Sequence, residues 1–209
     1  MKDAIRRTGL IFAFAALSLC FTRDGLAQTE IYDYERMASA IVNMLNAATD
    51  YIADNFEVIN TNNARVGEPI PKGELHSYKG INPEGFAGLV GKQFARMTGI
   101  SVKFVSNDKP RSSQNKADKW ESKQLKKFSK IKYPKGVGYG EVVMVDGKEQ
   151  YDIAYRYIYP LYIEHKCLKC HGDPARSPTS DGRDITGFEM EDFKEGELSG
   201  AISLVFPIE

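Results

Sequence analysis

The chain has 209 residues, 42% of them hydrophobic and 27% charged, which is enough for one globular domain with a sizeable core. Its 28 basic and 28 acidic residues cancel, so composition points to neither nucleic acid nor a polyanionic substrate, and no nucleic-acid partner is expected. Three cysteines are too few for a disulfide framework, so the fold must rest on packing.

In chain order, residues 1–27 read as a signal peptide. Lys2, Arg6 and Arg7 form a positive start, residues 9–21 are an apolar run, and Gly25-Leu26-Ala27 supplies small residues for signal peptidase. The run is shorter than the roughly 20 residues a membrane span needs. An uncleaved anchor is the alternative. Cleavage after Ala27 discards Cys20 and leaves residues 28–209 as a periplasmic or secreted domain, with Cys167 and Cys170 as its cysteines. No second long apolar run follows, so no membrane span is expected in the mature chain.

Residues 31–59 predict a long amphipathic helix, because Tyr34, Ala38, Ile41, Leu45, Ala48, Ile52 and Phe56 recur at intervals of three and four. Residues 60–71, rich in Asn, Gly and Pro, read as a loop. Asn82-Pro83 marks a second helix start, and Gly99 ends that helix after Thr98. Residues 100–105 alternate as a strand. Between Asn107 and Lys132 nine basic residues face three acids, and a helix over residues 116–129 with one buried edge fits this stretch. Val142, Val143 and Val145 lead into Asp146-Gly147, a hairpin turn pair, with residues 151–159 as the return strand. A final strand spans residues 200–206. The sum is an α+β domain, with helices first and then a mainly antiparallel sheet. Residues 172–198 form a long loop, and loops of that length tend to be functional or disordered.

The informative stretch is His165-Lys166-Cys167-Leu168-Lys169-Cys170-His171. Cys-x-x-Cys-His is the attachment signal of c-type haem. Two cysteines three apart share one face of a helical turn and can form thioethers with one porphyrin. The next residue, His171, is then carried beneath the macrocycle as proximal iron ligand. Three other readings compete: a structural zinc site, with His165 and His171 completing a cramped local set, a reactive dithiol, and a plain disulfide. The sixth iron position is open among Met44, His76, Met190 and no protein ligand. Met44 lies beside the apolar helix face, Met190 in the long loop, and His76 is the His remote from the motif.

Two charge runs, basic over residues 109–132 and acidic over residues 181–197, read as partner docking sites, as solvated faces, or as faces that meet within the fold. Trp120 reads as cover for the sheet or as a porphyrin stack, with the sheet as the simpler reading.

Three stretches resemble the exported haem-c domains of PAS-like fold that occur alone or as sensor modules. They are Val102-Lys103-Phe104 through Arg111 to Asp118-Lys119-Trp120-Glu121, Tyr159-Pro160-Leu161-Tyr162 leading into the motif and Gly172-Asp173-Pro174, and Lys194-Glu195-Gly196 with Gly200-Ala201-Ile202-Ser203. The resemblance implies a PAS-like antiparallel sheet with helices on one side, one covalent haem c held against it, and redox or small-ligand sensing. Ser112-Ser113 departs from the family's Asn-Pro. The thiolate that some members supply from the first helix has no counterpart here, and Met44 falls near its place. The expected function is a periplasmic monohaem cytochrome c, not an enzyme, that senses redox state or a diatomic ligand and signals through a partner protein. The second reading is a soluble electron carrier. A peroxidase would need a distal acid/base group, for which His76 is the candidate.

Overall fold

The computed structural model describes residues 30–60, 81–131, 134, 136–144, 153–178 and 180–208. Residues 1–27, expected as a signal peptide, His76, residues 61–71 of the expected first loop and the expected Asp146-Gly147 turn lie outside them.

Residues 30–54 form helix α1, and α2 (Phe56–Asn60) follows directly. The expected single helix is interrupted at Asn55, whose side-chain amide donates to the Tyr51 carbonyl at 2.9 Å alongside its own backbone N–H. Ala38, Val42, Leu45, Ile52 and Phe56 are buried along one stripe, as the periodicity required. Helix α3 (Pro83–Thr98) begins and ends where expected. The Asn82 side chain accepts from Gly85 N at 2.7 Å, and Gly99 closes the helix at φ 75.

The sheet contains β1 (Ser101–Val105), β2 (Tyr139–Met144), β3 (Ile153–Tyr162) and β4 (Leu198–Ile208), in the order β1-β4-β3-β2, and neighbouring strands pair antiparallel. Strand β3 runs three residues past its expected end, through Pro160. Strand β2 pairs only as far as Ile158, so Pro160 sits where no donor is needed on that side.

Helices cover both faces rather than one. Ala38, Val42 and Leu45 of α1 and Ala87 of α3 pack on Tyr155, Tyr157, Ile202, Leu204 and Phe206. Leu125 and Phe128 of α4 (Lys119–Ile131) pack on Val105, Ile158 and Ala201, which point the other way by strand alternation. Gly91 lets α3 lie close on β1, since a Cβ there would stand 2.7 Å from the Val102 carbonyl oxygen.

Helix α4 begins three residues later than its composition suggested. Asp118 and Glu121 form a reciprocal capping box: Glu121 N donates to Asp118 Oδ1 and Asp118 N to Glu121 Oε2, both at 2.8 Å. Glu121 is fully buried but paired with Lys103 and Arg156, each at 3.0 Å. The Arg156 guanidinium lies 4.4 Å from the Trp120 ring centroid, so Trp120 covers the sheet, as the simpler reading held.

Candidate functional site

Three strand ends meet at one end of the sheet: the end of β1 at Val105, the end of β3 at residues 159–162, and the start of β4 at residues 199–201. There a cavity of about 650 Å³ opens to solvent. Asn46, Ala47 and Asp50 of α1 and Phe56 of α2 form one side, and Phe188 and Phe193 of the long loop form another. The volume falls within the roughly 300–1,000 Å³ typical of ligand sites.

The motif forms one wall. A 3₁₀ turn (His165–Cys167) runs into the short helix α5 (Leu168–His171), and the side chains of Cys167, Cys170 and His171 all line the cavity. Gly172 ends the turn, because a Cβ there would stand 2.5 Å from the Leu168 carbonyl oxygen. Lys166 pairs with Asp50 at 2.7 Å and Lys169 with Glu57, so the motif's own lysines pin it to α1 and α2.

The competing readings of the motif fare poorly. His165 is 90% exposed and faces Glu195, so the local zinc set is not assembled. No group of three or more His, Cys, Asp or Glu among the described residues is placed to hold a metal ion. Both thiols are free. Burial raises Cys167 above the usual thiol range and pushes Cys170 up to about 11, the reverse of what a reactive dithiol requires.

Behind His171 lies a network that sequence reasoning missed. His171 Nδ1 is 3.0 Å from Glu191 Oε2. Arg111 grips the same carboxylate with both arms, Nε to Oε1 at 2.5 Å and Nη2 to Oε2 at 2.9 Å. Its Nη1 donates to the buried Asp184 at 2.6 Å, and Nη2 donates to the Cys170 carbonyl at 2.7 Å. Burial pushes the Glu191 carboxyl up, but the bonds from His171 and Arg111 outweigh it and bring it down to about 2. Burial likewise disfavours charge on Arg111, yet its carboxylate partners win and hold it above its ordinary value. Glu191 is therefore an acceptor. A carboxylate acceptor pairs with a protonated Nδ1, and in the neutral ring that tautomer is the one whose Nε2 can bind a metal. The backbone clamps this arrangement, with Asp192 N donating to the Gly172 carbonyl at 3.0 Å and Phe193 N to the His171 carbonyl at 2.9 Å.

The other candidates fall elsewhere. Met44 is 60% exposed and does not line the cavity, because it lies on the side of α1 away from the buried stripe. Met190 is buried, its N–H bonded to the Gly182 carbonyl, and it too lies outside the lining although Glu191 and Phe193 belong to it. The charge runs meet within the fold at the start of the basic one, where Lys109 donates to the Glu191 carbonyl and Arg111 joins Asp184 and Glu191, while Lys126, Lys127 and Lys130 of α4 form a solvated face.

Fold and site together define an α+β domain whose antiparallel sheet opens at one end into a cavity walled by a Cys-x-x-Cys-His turn. The chain belongs to the Tll0287-like family, whose model matches residues 27–207. Among solved structures, the crystal structure of the cyanobacterial haem protein Tll0287 is similar in fold, with a TM-score of 0.50 and 16% identity over 81% of this chain and 94% of that one. A comparison with curated proteins returned no match. The α+β, PAS-like architecture and the family resemblance read from the sequence are borne out.

Proposed function

We propose that the chain is an exported monohaem c-type cytochrome that works as a haem-based sensor of redox state or of a diatomic ligand and signals through a partner protein. One observation carries this reading: Cys167, Cys170 and His171 line a single wall of a haem-sized cavity, with the His171 Nδ1 already engaged. Similarity to a solved haem protein supports it.

The residues present fit the cofactor. Cys167 and Cys170 would hold it through thioethers, and His171 would offer Nε2 to the iron. Phe56, Phe104, Leu161, Phe188 and Phe193 give the lining an apolar share suited to a porphyrin face. A bound haem would supply a one-electron redox centre able to bind a small ligand. Glu191 keeps the Nδ1 proton in place and fixes the ring. Residues 191–193 bond directly to residues 171–172, so the long loop is coupled to the motif and offers a route to a partner surface. Residues 1–27 would direct export. Among the described residues no helix is long and apolar enough to cross a membrane.

A soluble electron carrier is the second reading, favoured by the openness of the cavity to solvent, which would leave a haem edge accessible. Absorption spectra of the reduced protein with and without CO or NO separate the two. Rapid ligand binding supports the sensor, and a haem that ignores both gases supports the carrier. A peroxide turnover assay on the ligand-binding form is expected to show no activity.

A further inference from the structure

Outside the motif, the most elaborate polar construction in the described molecule stands directly behind His171. Glu191 receives the imidazole on one oxygen while Arg111 binds both of its oxygens, Nε–Oε1 at 2.5 Å and Nη2–Oε2 at 2.9 Å. Arg111 is itself anchored on Asp184 at 2.6 Å and on the carbonyl of Cys170 at 2.7 Å. The backbone bonds of Asp192 to Gly172 and of Phe193 to His171 fix the position of Glu191 along the motif. A carboxylate held this firmly by three hydrogen bonds does more than fill space. It selects one tautomer of the ring and one ring orientation.

We propose that Glu191 is a positioning residue for the iron: through the Nδ1 bond it holds His171 in register and lends the imidazole anionic character, which stabilises the oxidised iron and lowers the midpoint potential. This inference rests on the haem reading above and goes beyond it, because it assigns control of the potential to the acidic loop rather than to the motif. The physical basis is that a carboxylate hydrogen-bonded to a metal-bound histidine raises the basicity of that ligand, and outer partners of this kind are worth about 10–100-fold in metal affinity or activity. Arg111 withdraws part of the negative charge, so the three residues act as a unit whose balance sets the ligand's strength.

The test uses the full exported protein matured with haem, in wild-type form and as Glu191→Gln. Glutamine keeps the size and can still accept from Nδ1, but it removes the charge. The expected result is unchanged haem content with the oxidised-to-reduced equilibrium moved about tenfold toward the reduced form, a rise of about 59 mV for a one-electron couple. A merely structural role for Glu191 would leave the potential in place. Unchanged potential in a correctly loaded variant overturns the inference and leaves the haem reading standing. Wild-type protein that carries no haem mass overturns both. If Glu191→Gln does not mature, nitrogen-15 NMR of the reduced wild-type holoprotein decides. A slowly exchanging His171 Nδ1 proton with the shift of a carboxylate-bonded N–H supports the inference, and a freely exchanging one overturns it.

Discussion

Arg111 is the residue on which the site's polar framework turns. It is 11% exposed and satisfies the carboxylates of Glu191, 9% exposed, and Asp184, which is fully buried. Replacing it with Ala leaves two carboxylates in a low-dielectric setting with their main counter-charge gone. Removing one partner of a buried pair costs about 3–5 kcal/mol, because the remaining charge stays desolvated. For a chain of this size each kcal/mol moves Tm by roughly 2–4 °C, so Arg111→Ala is expected to lower Tm by roughly 6–20 °C. Arg111→Lys keeps the charge but cannot reproduce the two-armed grip, and it should fall between wild type and Ala. The assay is thermal and urea unfolding of matured protein followed by circular dichroism. A cost below about 1 kcal/mol for Arg111→Ala would mean that the network behaves as a solvated surface pair, and the reasoning would be refuted.

Three further outcomes follow from the geometry. Burial raises the Asp118 carboxyl, but the bonds from the Glu121 backbone and from Arg156 outweigh it and hold it below its ordinary value. Its contribution is therefore present above the unfolded value of about 3.9 and is lost as pH falls through the folded one. Asp118→Asn keeps a competent helix cap, so its urea midpoint should fall less steeply than that of wild type below about pH 4. Gly91→Ala places a Cβ 2.7 Å from the Val102 carbonyl oxygen, and a loss of roughly 1–2 kcal/mol in urea titration is expected despite the helix propensity of Ala. Met44→Ala should leave the absorption spectrum of the holoprotein unchanged, since Met44 lies outside the cavity lining; a changed iron spectrum would return it to the list of ligands.

Local signals carried most of the fold. Asn82, Pro83 and Gly99 bracketed α3 because caps act within one turn, alternation placed β1, and the run Gly-Ala-Ile-Ser-Leu-Val-Phe marked β4. The start of α4 is legible as well, since Asp118 and Glu121 stand at capping-box spacing, whereas the run of lysines around them carries no boundary signal. The motif residues were legible as a contiguous pattern. Their support was not, because Arg111 and Glu191 are eighty positions apart and no periodicity links them. One hint was present: Arg111 is the arginine in a stretch of lysines, and a fork-shaped donor is the side chain that binds a carboxylate with both arms. The opposite charge of the two runs pointed the same way, as faces that meet inside the fold. Met44 stands beside the apolar stripe in the sequence, but the stripe turns on Val42 and Leu45 and leaves Met44 in solvent.

The central claim is that this chain carries one haem on Cys167 and Cys170. Intact mass and absorption spectra of protein exported from a host that matures c-type cytochromes test it most directly. The account predicts a coloured product bearing the mass of a single haem after denaturation, diminished when either cysteine is replaced by Ala. A colourless chain of polypeptide mass alone, made beside a control cytochrome that matures normally, would contradict it.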